Sequence, residues 1–155
     1  MSAIIKQFTD KKGLKEITLN SLQAKDELLI IETTYASLDL MLSHAEAEKF
    51  RKQLLEGGIH CRQISNELFR DYTNVLGFHE KVMSTRYIDP AKLKIDREIL
   101  IYNDTVAFYQ TQGKELYGIE IIDAAFAKQQ RQIFELIWKQ ADRPPTSNNS
   151  RTSLI

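Results

Sequence analysis

The sequence predicts an α/β domain with a mixed β-sheet covered by helices, and three features of the 155-residue chain carry that prediction. Residues 99–102, 106–109 and 116–122 are apolar, β-branched or aromatic runs separated by turn-prone residues, the pattern of an antiparallel meander. Residues 124–141 follow directly with apolar side chains at helical spacing, which makes a long C-terminal amphipathic helix. Residues 27–64 read as strand, helix, strand, a unit whose two strands normally pair in parallel through a right-handed crossover. A meander joined to a parallel pair gives a mixed sheet, and the helices supply the apolar faces that cover it.

Taken in order, residues 4–8 read as a short strand and residues 9–13 as the turn into a helix with Leu14, Ile17 and Leu22 on one side. Residues 27–32, ELLIIE, form a continuous apolar run with charged ends, as in a mid-sheet strand buried on both faces. Residues 33–42 fit either a packed loop or the start of a helix. Ser43 and Glu46 make a capping-box pattern, Phe50, Leu54 and Leu55 recur at helical spacing, and Gly57-Gly58 ends the helix. Residues 59–64 alternate as a strand. Residues 66–75 predict a short helix with Leu68, Phe69, Tyr72 and Val75 inward, residues 82–88 a strand, and Asp89-Pro90 a helical turn.

In the meander, Asn103 and Asp104 tolerate the positive φ angles of a two-residue hairpin, residues 111–114 with Gly113 make the next turn, and Asp123 stands at a helix N-cap. On the last helix Phe126, Ile133 and Ile137 form one track, and Ala127, Phe134, Trp138 and Ala141 its neighbour. Gln130 falls inside this stripe, so its amide needs hydrogen-bond partners or a pocket. Residues 142–155 lose the apolar periodicity and gain Pro, Ser and Asn, the composition of a disordered tail after a single domain spanning residues 1–141.

Composition narrows the function. With 43% hydrophobic residues, the chain buries one substantial core. Its 21 basic and 21 acidic side chains cancel, which argues against the broad positive surface of a nucleic-acid-binding domain. No run approaches the length of a membrane span, and the N-terminus lacks a secretory pattern, so the expected location is the cytoplasm. The single Cys61 excludes an internal disulfide, and one cysteine with three scattered histidines is a poor basis for zinc, so neither metal nor cofactor is expected.

Six segments stand in order along the chain: F-T-D-K-K-G-L-K from Phe8, G-G-I-H-C-R from Gly57, Ser84-Thr85-Arg86-Tyr87, the hairpin I-Y-N-D-T-V-A-F-Y from Ile101, Y-G-I-E-I-I from Tyr117, and R-Q-I-F-E-L-I-W from Arg131. Together they resemble the effector domain of TrmB-type transcriptional regulators, a branch related to the phospholipase D fold. The resemblance runs from about Phe8 to Ala141 and implies a phospholipase D-like half-domain. Such regulators usually carry a DNA-binding winged helix before this domain and respond to small molecules such as sugars. Only seven residues precede Phe8 here, so the expectation is an isolated sensor or interaction domain, with any DNA contact made by a separate partner chain. A homodimer is compatible with this reading.

The related enzymes use H-x-K-x-x-x-x-D, in which histidine attacks phosphorus, lysine neutralises the phosphoryl oxygens and aspartate supports the site. If Asp104 matches that aspartate, Arg97 stands in the histidine position and Ile99 in the lysine position, and neither does the required chemistry. The resemblance therefore implies a domain that binds rather than catalyses. A competing motif, His60-x-Arg62-x-x-x-x-Glu67, keeps the spacing with conservative replacements and defines the alternative, a divergent phosphodiesterase or nuclease acting as a dimer. The candidate ligand or partner residues are Arg62, Arg86, Arg97, Asp104 and Gln130; the arginines suit a carboxylate, phosphate or sugar hydroxyl. Cys61 reads as a buried small side chain. Tyr109, Tyr117 and Trp138 read as core, His44 and His79 as surface residues, and the charged runs 10–15 and 46–52 as solvated faces.

Overall fold

From the N-terminus, strand β1 (Ile4–Thr9) leads into helix α1 (Asp10–Asn20), followed by β2 (Glu27–Glu32), the short α2 (Leu38–Met41), α3 (His44–Glu56) and β3 (His60–Ser65). The chain continues with α4 (Phe78–Lys81), β4 (Met83–Tyr87), β5 (Glu98–Tyr102), β6 (Thr105–Gln110), β7 (Tyr117–Ile122) and α5 (Ala124–Gln140). These elements come from a computed structural model, which describes residues 2–34 and 37–143.

All seven strands join one mixed sheet in the order β1-β7-β6-β5-β2-β3-β4. β2, β3 and β4 run parallel, while β5, β6, β7 and β1 are antiparallel to their neighbours. Alternation along each strand divides the apolar residues between two cores. On one face, Leu14, Ile17, Phe50, Leu54 and Phe78 of α1, α3 and α4 pack on Leu28, Ile30, Leu100 and Tyr109. On the other, Phe134 and Trp138 of α5 cover Leu29, Ile31, Ile101 and Val106. β2 is buried from Leu28 to Glu32 and lies inside the sheet, as its unbroken apolar run requires.

Local signals set the boundaries. Glu46 N–H donates to Ser43 Oγ at 3.1 Å and Ser43 N–H to Glu46 Oε1 at 3.2 Å, closing the capping box of α3. At its other end Gly58 takes φ +65°, Gly58 N–H reaches Leu55 O at 3.2 Å and Ile59 N–H reaches Leu54 O at 3.1 Å, a Schellman ending. Residues 103 and 104 form the two-residue hairpin, with only Asn103 in the left-handed region, at φ +50°. Phe126 N–H donates to Asp123 Oδ1 at 2.9 Å and caps α5. Asp123→Ala is expected to cost about 1 kcal/mol, measurable as a lower denaturation midpoint with an unchanged slope.

Four expectations are corrected. Residues 66–75 form no helix, because side chains there bond to the backbone instead. Asn66 Nδ2 donates to Ile88 O and Leu93 O, Asn66 Oδ1 accepts from Ile95 N–H, and Thr73 Oγ1 accepts from Val75 N–H. Ile133 does not join the buried stripe of α5. It is 41% exposed and Leu136 65%, since the helix lies over β5 and β6 and buries a narrow seam centred on Ala127 and Phe134. The charged run 46–52 is not wholly solvated: Arg51 shares the inner face of α3 with Ala47, Phe50 and Leu54 and is only 1% exposed. His79 is not a plain surface residue, since its ring meets Phe69, Tyr72 and Phe78 edge-on. Residues 33–42, open between loop and helix, contain α2, with residues 35–36 outside the description. The expected tail begins by pairing with β4, Asp142 and Tyr87 exchanging two backbone hydrogen bonds of 2.6 and 2.8 Å. Residues 144–155 lie outside the described residues.

Candidate functional site

The five residues singled out from the sequence fall into separate surroundings. Arg62, on β3, donates to Glu27 on β2 through Nε at 2.7 Å and Nη2 at 3.1 Å, and to Glu135 on α5 through Nη1 at 3.2 Å and Nη2. Its guanidinium lies 5.3 and 5.2 Å from the ring centres of Phe134 and Trp138. Arg86, on β4, stacks on the same indole at 4.3 Å and donates to the Trp138 carbonyl at 2.7 Å. Two parallel strands thus hold the C-terminal end of α5, where cations also complement the helix dipole. The Arg62 bond keeps the Glu135 carboxyl below the usual carboxylate range.

The other three do not join them. Arg97 precedes β5, is well exposed, and donates to Tyr117 Oη at 3.3 Å and to Asp96 O at 2.9 Å. Asp104 lies at the opposite end of β5, where its carbonyl accepts from Asp123 N–H at 2.8 Å. Gln130 is half-buried on α5. None of the five lines the recess at the ends of β2 and β3 described below. The spacing His60-x-Arg62-x-x-x-x-Glu67 also stays apart: exposed His60 starts β3, Arg62 is held by two carboxylates, and Glu67 lies beyond the strand, bonded by Thr34 and Arg70.

The convergence is elsewhere. β2 and β3 end at Glu32 and Ser65, β5 starts there with Glu98, and Tyr109 nears the end of β6, so four strands bring polar side chains to one end of the sheet, on the side of α1 and α3. In sheets with parallel strands, this carboxyl end is where ligands characteristically bind. Glu32, 6% exposed, accepts from Gln63 Nε2 and Ser37 Oγ. Glu98, 1% exposed, accepts from Thr33 N–H at 3.1 Å and from the Thr33 hydroxyl. Burial raises both carboxyls, Glu98 to about 7; Glu32 is held well above the carboxylate range by burial first and by the neighbouring Glu98 charge second. Tyr109 is likewise raised by burial and then by the two glutamates.

Beside this cluster is a cavity of about 40 Å³, with Glu32, Ser37, Arg51, Tyr72 and Tyr109 on its walls and Leu28, Phe50, Leu54 and Leu100 among its apolar lining. Arg51 Nη2 donates to Asp39 at 2.9 Å and Nη1 to Glu48 at 3.3 Å, while its guanidinium lies 5.0 Å from the centre of the Tyr72 ring. Its Nε–H has no partner among the described residues, although the side chain is enclosed. Among the described residues no histidine or lysine lines the cavity. Cys61 is buried, and its thiol is pushed up to about 12 by burial and then by the Glu32 and Glu27 charges, which leaves it unreactive. Among the described residues no cluster of three or more His, Cys, Asp or Glu is placed to hold a metal ion, and no helix is long and apolar enough to cross a membrane.

Similar architectures occur among solved structures. TrmBL2, an archaeal chromatin protein described as showing a novel mode of DNA binding, is 16% identical and superposes over 90% of this chain with a TM-score of 0.61. The match covers 54% of TrmBL2, so this chain spans about half its length. NucT from Helicobacter pylori is 11% identical, with 92% of this chain and 99% of NucT covered at a TM-score of 0.66. Nuc from Salmonella typhimurium, a phospholipase D family member, is 11% identical, with 94% and 100% covered at 0.61. No family model matches the sequence, and no curated protein does. The fold is TrmB-like and phospholipase D-like, an α/β architecture with a mixed sheet and a long C-terminal helix, as the sequence segments led us to expect.

Proposed function

We propose that this chain is a non-catalytic binding domain that takes a small ligand in the cavity at the ends of β2 and β3 and reports its occupancy to a partner chain in transcriptional regulation. The observation that supports it is the make-up of that cavity. Its described walls offer a buried arginine, a carboxyl with a second one beside it, hydroxyls and apolar side chains, without an imidazole, a lysine or a reactive thiol. Phosphodiester cleavage of the phospholipase D type needs a nucleophile and a cation at the phosphorus, and the described walls offer neither a histidine nor a lysine for those roles. A small recess with mostly apolar walls and a few directed polar groups suits retention of a molecule.

Regulation then works by the ligand favouring one conformation or assembly state. TrmBL2's description as a DNA-binding chromatin protein supports a link to transcription. The balance of 21 basic and 21 acidic side chains supports leaving direct DNA contact to another chain, in the cytoplasm, whether in a homodimer or with a separate DNA-binding partner. Arg62 and Arg86 fit this reading as holders of α5 rather than as ligand contacts, and Arg97, Asp104 and Gln130 as peripheral positions on the partner-facing surface.

Purified protein is expected to leave bis(p-nitrophenyl) phosphate and single-stranded DNA intact, with His60→Ala indistinguishable from wild type. Turnover carried by the chain itself overturns the reading, and its loss in His60→Ala would assign the activity to the dimeric phosphodiesterase alternative.

A further inference from the structure

We infer that two copies of this chain join along the free edge of β1, strand against strand and antiparallel, with Ile5 facing Ile5 of the second copy at a two-fold axis. This holds whatever the cavity at the ends of β2 and β3 takes. The seven-stranded sheet has two edge strands, β1 and β4. The chain itself occupies the end of β4, where Tyr87 and Asp142 exchange two backbone hydrogen bonds. Among the described residues β1 has no such cover. Asp10 N–H donates to Leu116 O at 3.1 Å and extends the β1–β7 register by one pair. Bonded pairs alternate along an antiparallel ladder, so Ile4, Lys6 and Phe8 bond to β7, and the backbone N–H and C=O groups of Ile5, Gln7 and Thr9 turn outward.

The side chains leave that edge open to a strand. Natural edges are guarded by proline, by bulges or by several charges. β1, IIKQFT, has a single lysine, and its register with β7 runs without interruption from Ile4 with Ile122 to Thr9 with Tyr117. Ile4 is 52% and Ile5 69% exposed. Ile5 pairs with Ile121, and Ile121 with Val106, so all three share the face that α5 covers. That helix lies over β5 and β6, which leaves Ile119 and Ile121 half-buried and Ile5 bare. A further strand beside β1 covers this apolar strip and meets the outward backbone groups at the same time.

Self-complementarity selects a second copy as that strand. Outward groups face outward groups when the axis passes through Ile5, Lys6 or Gln7. An axis at Lys6 sets two like charges directly opposite each other, and one at Gln7 carries Ile4 past Thr9, the last residue of the facing strand. An axis at Ile5 avoids both: Ile5 faces Ile5, Ala3 faces Gln7 and Ile4 faces Lys6. Ile4 lines a recess together with Asp104 and Asp123, so each Lys6 comes beside acidic groups of the other copy. Among the described residues neither Lys6 nor the Asp104 carboxylate has a side-chain partner already. The 21 basic and 21 acidic side chains cancel, so no net repulsion separates the copies. Pairing about a two-fold axis is closed, and with β4 held by Asp142 the assembly ends at two chains.

The full chain is expected to sediment as a dimer. Gln7→Pro removes an outward N–H without removing a β1–β7 bond, and is expected to weaken the dimer by about tenfold or more with an unchanged circular dichroism spectrum; Ile5→Lys serves if that variant does not fold. Mild oxidation is expected to link Ile5→Cys into a covalent dimer, because facing Cα atoms of a bonded pair lie about 5.5 Å apart, within disulfide reach. Ile4→Cys is expected to stay unlinked, and the buried Cys61 supplies no bridge of its own. A dimer unmoved by both edge variants overturns the inference by placing the contact elsewhere, and equal cross-linking of the two cysteine variants overturns the register and the axis with it. A monomeric wild type overturns it as well: a Gln7 amide protected from hydrogen exchange would then assign the edge to a segment of the same chain, and a freely exchanging one to a different protein. None of these outcomes bears on the hydrolysis assay.

Discussion

Gly118→Ala is expected to lower stability by about 2–3 kcal/mol, the upper range for overpacking a tight core, and Gly118→Val to leave little folded protein at 37 °C. Gly118 lies on β7 between its partners Phe8 on β1 and Tyr109 on β6, on the face that receives α1. A Cβ at this position would stand 2.2 Å from Ile17 Cδ1, and 3.1 Å from both Leu14 Cδ2 and Tyr109 Cβ. Ile17 and Leu14 are fully buried, so neither side chain can swing into solvent to make room. The absent side chain lets α1 settle on the sheet. Because the shortest contact is to a single methyl group, the cause can be separated from a general loss of packing. Ile17→Val removes Cδ1 and alone costs about 0.5–1.5 kcal/mol. Combined with Gly118→Ala, it is expected to give a protein at least 1 kcal/mol more stable than the sum of the two losses, the added methyl occupying the space that Cδ1 leaves. Urea denaturation of the four proteins decides this; strict additivity would mean that Gly118 acts through strand conformation and not through α1.

What the sequence disclosed and what it hid follow the same division between local and distant causes. The capping box of Ser43 and Glu46, the Gly58 ending, the Asn103 turn and the Asp123 cap each depend on residues within a few positions, and each appears where the sequence puts it. The meander and the parallel pair follow from runs whose apolar character is unambiguous. Residues 66–75 mislead because Leu68, Phe69, Tyr72 and Val75 have helical spacing, while Asn66 is bonded to backbone groups of residues 88, 93 and 95 far along the chain.

The candidate site was less legible for the same reason. Arg62 and Arg86 stood out as strand arginines, yet the Glu135 that occupies Arg62 is 73 residues away and on another element. Glu32 closes the apolar run of β2 as a charged end and Glu98 precedes the run that begins at Ile99, so neither carries a local signal of burial. Only the folding of four strand ends to one place makes them a buried pair. Arg51 did leave a trace: it follows Phe50, stands four residues after Ala47 and three before Leu54, and so belongs to the inner face of α3 by helical geometry. Its surrounding charges concealed that spacing.

Unlike most proteins, which gain stability as carboxylates ionise, this one is expected to lose it between pH 5 and pH 8. Glu98 titrates at about 7 in the fold against an ordinary value of 4.5, and Glu32 is raised in the same direction. Between those values the folded state holds more protons than the unfolded chain, so stability is fully present below the ordinary value and falls as pH rises through about 7. For Glu98 alone the difference corresponds to about 3 kcal/mol at most. Glu46, Asp71 and Glu135 are shifted downward and act oppositely, but their contribution is lost only as the pH drops below the ordinary carboxylate range, outside this window. Glu98→Gln keeps a carbonyl for Thr33 N–H and removes the titration. Relative to wild type it is expected to gain on the order of 2 kcal/mol at pH 8, and little or nothing at pH 5, in denaturant unfolding at matched ionic strength. A wild-type protein no less stable at pH 8 than at pH 5 would show that the carboxyl pair is solvated or already neutralised. Retaining two such acids in the interior weakens the fold at neutral pH. Strongly perturbed groups of this kind concentrate where proteins bind or react, which is why the ends of β2 and β3, rather than the arginines beneath α5, are the first place to test the proposed binding.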